Sequence, residues 1–208
     1  MKPPFAERSQ KEMKDVLMNP KAVGPEIHYY MIRGGKDKKN ITVWERGTVG
    51  GEYIKSYGHY HVGDLSETYE ILAGEGYVLL QKRSERAVSS LVRKASTTRS
   101  ETSSLTSLLP IDDEIEEFRA VKVKAGDKVF IPASYGHLAI NTGNTWLVTS
   151  DDSPVDFGEK KAISMPGHAD YTPFKKLHGA AYYVVEKNGS PVFVKNPYYK
   201  KVPEIKFE

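Results

Sequence analysis

The sequence predicts an all-β chain, an antiparallel sandwich or barrel, preceded by a short helical arm. From Pro25 onward, short runs rich in Tyr, Val and Ile follow one another at close spacing. Gly, Asn and Asp break the junctions between them. No internal repeat of solenoid period interrupts this texture.

Each element follows in order. Residues 1–25 form an N-terminal arm in which Gln10 to Met18 is amphipathic and closed by Asn19-Pro20. This predicts one helix lying on the outside of the β-structure. IHYYMIRGG, NITVWERG, EYIKSYGHYH, ETYEILAGEG and YVLLQKR then read as strands, followed later by AVKVKAGDKVFIP, HLAINTG, TWLVTSDD, AAYYVVEKNG and PVFVKNP. Residues 84 to about 116 break the rhythm. They are rich in Ser, Thr and Arg with little alternation, which predicts an insertion, partly helical or mobile. A length of 208 residues suits a single domain, 1–208, with a sizeable core.

Composition excludes several functions. Thirty basic against 27 acidic residues leave a formal charge of +3, and the lysines are scattered, so nothing marks a nucleic-acid partner. There is no cysteine, so any metal must be held by nitrogen and oxygen. The first twenty residues lack the apolar core of a signal peptide, and no apolar run approaches the ~20 residues that span a bilayer. A cytoplasmic protein without membrane contact is the expectation.

The chemistry concentrates in GHYHVGDLSETYE, residues 58–70. Alternate residues of a strand share a face, so His59 and His61 point one way and Tyr60 the other. Two neighbouring imidazoles can hold one metal ion, although an isolated pair of this kind is more often a solvent-facing couple. In ETYEIL, alternation puts Glu67, Tyr69 and Ile71 on one face and Thr68, Glu70 and Leu72 on the other. Only one of the two glutamates can therefore join the histidines. Further on, GDKVFIPASYGHLAINTG supplies a third histidine, His137.

HYHVGDLSE with Gly74, followed by GDKVFIPASYGHLAIN, resembles the two motifs of the cupin superfamily. Within it, KSYGHYHVGDLSETYEILAGEGYVLLQ is similar to the cupin-type glucose-6-phosphate isomerases found mainly in archaea. The resemblance covers roughly residues 25–83 and 118–200. It implies a double-stranded β-helix, the cupin jelly-roll barrel. It implies the metal ligands His59, His61, Glu67 and His137, with Fe(II) favoured and Mn(II), Ni(II) or Zn(II) also suited to such donors. It implies a sugar-phosphate grip by Thr42, Ser56 and Gly58, an aromatic hydroxyl at Tyr69, and His168 and Tyr171 near the reacting end. A homodimer is the usual state of such cupins, and the C-terminal NPYYKKVPEIKFE offers apolar surface for one.

Three departures stand out. Five residues separate His61 from Glu67, one or two more than in most cupins, and Tyr53 stands where the first motif usually begins with Gly. The family's Tyr after the second motif is missing from WLVTSDDSP, where Asp151 or Asp152 takes the place. Three functions fit the same ligands: an aldose–ketose isomerase of glucose 6-phosphate and fructose 6-phosphate, a cupin dioxygenase, and a non-catalytic metal- or sugar-phosphate-binding cupin. For the isomerase, Glu67, Tyr69 and His168 are the expected catalytic residues. Proton transfer through an enediol, with Glu67 as base, and a hydride shift both remain open.

Overall fold

The computed structural model describes residues 5–34, 39–88, 107–153 and 169–208. In chain order it contains β1 (Phe5–Ser9), α1 (Gln10–Met13), β2 (Ile27–Ile32), β3 (Asn40–Trp44), β4 (Thr48–Val49), β5 (Glu52–Tyr53), β6 (Tyr60–His61), β7 (Glu67–Ala73) and β8 (Glu75–Val88). These are followed by β9 (Ser107–Lys124), β10 (Lys128–Ile131), β11 (Tyr135–Asn141), β12 (Leu147–Asp151), β13 (Ala169–Asp170), α2 (Thr172–Lys176), β14 (Tyr182–Lys187), β15 (Ser190–Lys195) and β16 (Lys206–Phe207).

The all-β jelly-roll expectation holds. One antiparallel sheet has the order β1-β2-β3-β12-β7-β10, and a second has the order β11-β8-β9-β16. Residues 54–61 run beside β11 through Lys55–Ile140 and His59–His137 bridges, which widens the second sheet. Trp44, Ile71, Val129 and Ile131 from the first sheet share one core with Leu79, Phe118 and Ala139 from the second. Burial alternates along β7 as its sequence predicts, with Glu67, Tyr69 and Ile71 inward. No described helix is long and apolar enough to cross a membrane.

Three regions add detail to these expectations. The arm is more than a helix: β1 adds a strand to the sheet edge beside β2. A capping box between Ser9 and Glu12 starts α1, a 3-10 turn continues it over Lys14–Val16, and the chain turns extended at Leu17. The helix stops short of Met18 because a buried ion pair takes over its end. Lys55 Nζ donates to the Val16 carbonyl at 2.6 Å, and Glu52 accepts from the Met18 amide at 2.8 Å.

The second is the insertion, expected to be partly helical or mobile. Its described flanks, residues 84–88 and 107–116, continue β8 and β9 as an antiparallel ribbon. Ser84 pairs with Ile111 and Val88 with Ser107, and the register shifts around Arg83. Residues 89–106 lie outside the described residues. The third is the C-terminal tail, which buries Tyr199 and returns as β16, parallel to β9, while Tyr198 and Phe207 stay exposed.

Candidate metal centre and cavity

His59 faces His137 across the bridge between residues 54–61 and β11, and His61 follows on β6, held from its other side by β13. Glu67 begins β7 in the opposite sheet, so the turn Val62–Ser66 carries the chain from one sheet to the other. Gly63 turns it with a φ of +76°. The two sheets thereby bring four side chains together. Ligand atoms of His59, His61, Glu67 and His137 all lie within 4.8 Å of one another.

Hydrogen bonds orient the rings. His61 Nδ1 lies 3.0 Å from the Leu65 carbonyl, which can only accept, so the proton sits on Nδ1 and Nε2 presents a lone pair. The lengthened turn thus has a use, since Leu65 is inside it. His137 Nδ1 lies 3.5 Å from the Tyr135 carbonyl in the same sense. Both Nε2 atoms converge on Glu67 Oε1, at 3.5 Å from His61 and 2.6 Å from His137. The other carboxylate oxygen, Oε2, accepts from Ser153 Oγ.

Among the described residues, buried His137 Nε2 and Glu67 Oε1 have no hydrogen-bond partner, and a cation beside them would satisfy both. Burial alone would raise the Glu67 carboxyl. Positive charge on the imidazoles, His137 foremost, would outweigh it and hold the group well below the ordinary carboxylate range, a preference that a cation at the same place would equally satisfy. Burial, opposed by the Glu67 charge and reinforced by His137, lowers His61 below its ordinary value. Three imidazoles and one carboxylate could hold a metal ion, and this donor set fits a borderline divalent ion.

A cavity adjoins the cluster, and Thr42, Ser56, Gly58, Tyr69 and Tyr171 all line it. Thr42 lies on β3, paired with Thr149 of β12. Ser56 Oγ accepts from the Ala139 amide at 2.9 Å, which fixes the hydroxyl while leaving its proton to donate. Gly58 has a φ of +81°, and a Cβ there would meet the Phe174 ring at 2.5 Å, so packing alone demands glycine at this position. Burial pushes the Tyr69 hydroxyl well above its usual value, helped by Glu67 and Asp151, so it stays protonated. Tyr171 follows β13 and packs against Tyr57 and His59, with ring centroids at 5.5 and 5.3 Å. His168, expected beside it, lies outside the described residues.

Tyr60 points away from the cluster, as alternation requires, yet it is not on the surface. Gln81 donates to its hydroxyl, Arg83 lies over its ring, and Phe174 packs beside it. Of the two aspartates after the second motif, Asp151 lines the cavity, whereas Asp152 accepts from the Thr68 amide at 2.8 Å.

Sequence reasoning missed Ser153, Asn40, Arg33 and Trp44. Ser153 lies two residues past Asp151, so alternation could have placed it on the same face. Arg33 follows β2 and Asn40 begins β3, and their meeting with Asp151 depends on sheet register. Trp44 lines the cavity, and its buried indole N–H has no hydrogen-bond partner among the described residues.

The family model of glucose-6-phosphate isomerase (GPI) matches residues 26–201. Curated glucose-6-phosphate isomerases from Thermococcus litoralis and Pyrococcus abyssi are 27% and 26% identical over 160 residues, 76% of this chain. The chain spans 62% of the length of those relatives. Among solved structures, a predicted oxalate decarboxylase from Thermotoga maritima aligns at 16% identity over 72% of this chain and 90% of its own, with a TM-score of 0.37. The family match covers nearly the whole stretch from β2 to the C-terminal tail, including all four clustered side chains, and the chain belongs to the glucose-6-phosphate isomerase family.

Proposed function

We propose that this chain is a metal-dependent aldose–ketose isomerase interconverting glucose 6-phosphate and fructose 6-phosphate. The observation that carries the reading is a cluster of three histidines and one glutamate opening onto a cavity lined with hydroxyl and N–H donors. His59, His61, Glu67 and His137 would hold the metal, with Fe(II) favoured and Mn(II), Ni(II) or Zn(II) compatible. When bound, the metal supplies positive charge to polarise the oxygens at C1 and C2 of the sugar.

The chain's own residues divide the remaining work. Thr42, Ser56 and the Gly58 amide offer donors to the phosphate, and the orphaned Trp44 N–H adds a further donor at the same wall. Tyr69 and Tyr171, with His168, would flank the sugar. Tyr69 remains protonated and can donate a hydrogen bond to a developing oxyanion. Glu67 Oε2 is held by Ser153 while Oε1 faces the imidazoles, which favours its role as a ligand over that of a free base. The polar wall disfavours the dioxygenase alternative, which needs an apolar pocket. A homodimer in the cytoplasm completes the reading, and gel filtration at the monomer mass would remove the dimer.

The test is fructose 6-phosphate turnover after chelation and reloading with each ion in turn. Activity should vanish on stripping and return with one ion, and His59→Ala or His137→Ala should lose metal and activity together. Stoichiometric metal binding without turnover would instead indicate a binding cupin. Solvent hydrogen entering the product would favour proton transfer over a hydride shift, and its collapse in Glu67→Gln would restore Glu67 as base.

A further inference from the structure

Asp151 occupies the middle of the cavity wall. It pairs across the first sheet with Asn40 on one side and Tyr69 on the other. Along β3, one same-face step from Asn40 reaches Thr42. Along β7, one such step from Tyr69 reaches Glu67. Asp151 therefore stands between the hydroxyl-lined end and the imidazole cluster.

Its carboxylate is only 6% exposed, and its two oxygens differ. Oδ1 accepts from Asn40 Nδ2 at 2.7 Å and from the Ser153 amide at 3.1 Å. Asn40 Nδ2 also donates to the Ser153 carbonyl at 3.0 Å, which closes a rigid triangle around the group. Oδ2 has Arg33 Nη1 at 3.8 Å, beyond hydrogen-bond reach. No described residue donates a hydrogen bond to Oδ2, although carboxylates in such sites ordinarily find donors for both oxygens.

The chemistry facing Oδ2 is constrained. A second anion would be repelled by Asp151 and by Glu67 in the same cavity. A hydroxyl suits both neighbours, since it donates to a carboxylate and accepts from a guanidinium. We propose that Asp151, with Arg33 beside it, reads a hydroxyl of the sugar backbone and makes the cavity select polyol phosphates. The inference rests on the sugar-phosphate reading above and deepens it.

The test uses the full chain at equal metal loading, with sorbitol 6-phosphate and inorganic phosphate as calorimetric probes. Asp151→Ala should weaken sorbitol 6-phosphate about ten- to a hundredfold, the range of a hydrogen bond to a charged group. Inorganic phosphate should bind as before or more tightly, because a negative charge has gone. Asp151→Asn keeps the shape and one acceptor and should fall between, which guards against a folding defect. Unchanged sorbitol 6-phosphate affinity in Asp151→Ala, or an equal loss for both probes, would overturn the proposal. The expected pattern without fructose 6-phosphate turnover would refute the isomerase reading alone. Turnover by the wild type without the pattern would refute the inference alone. A wild type that binds neither probe would remove both.

Discussion

Replacing Ser153 by alanine removes the donor to Glu67 Oε2 while leaving the Ser153 backbone anchored. Its amide still donates to Asp151 and its carbonyl still accepts from Asn40. The lost bond is buried and ends on a carboxylate, a class that contributes about 1.5–3 kcal/mol. Freed on one side, Glu67 can rotate away from the converging imidazoles. Metal affinity should therefore fall about ten- to a hundredfold, the usual cost of losing a partner of a metal ligand. Chelator competition on the purified protein reads this directly. Ser153→Thr keeps the hydroxyl and should retain most of the affinity. The metal-free Ser153→Ala protein should also melt a few degrees lower, because Oε2 is left bare. Metal affinity equal to wild type in Ser153→Ala would refute the view that Ser153 positions Glu67.

Other outcomes follow from the same structure. His28 is buried with Nε2 against Gln10 Oε1, and burial, then the Lys55 charge, takes its pKa from 6.5 to about 4. A folded-state value below the unfolded one adds stability that is fully present above pH 6.5 and lost as pH falls toward 4. The loss should be on the order of 3 kcal/mol, and His28→Gln should flatten this acid limb in urea melts. Lys55→Met strands the Glu52 carboxylate, now 2.5 Å from Lys55 Nζ, and should cost about 3–5 kcal/mol. Adding Glu52→Leu should recover only part of this, since the Val16 carbonyl and Met18 amide then lose their partners and the arm becomes protease-sensitive. Gly58→Ala puts a Cβ against Phe174 at positive φ and should cost about 1–3 kcal/mol from backbone strain alone, read as a lowered melting temperature.

The sequence by itself determined the strands, their inward faces and the donor types. Period-two alternation is a local property, so β7 could be read with Glu67 inward and Glu70 outward before any coordinate was known. The absence of cysteine restricted the metal chemistry to nitrogen and oxygen, and the two histidines one residue apart had to share a face. Tertiary structure decided what those faces meet. Leu65 orients His61 only because the turn folds back, and Ser153 reaches Glu67 only because β12 lies beside β7. The assignment of Asp151 rather than Asp152 to the cavity depends on the register of β12 against both neighbours. A one-residue slip would exchange them, and register is set by pairing across the sheet, which no local pattern encodes. Residues 84–88 and 107–116 belong to strands for a related reason: weak alternation hides them locally, and the pairing of β8 with β9 decides their conformation.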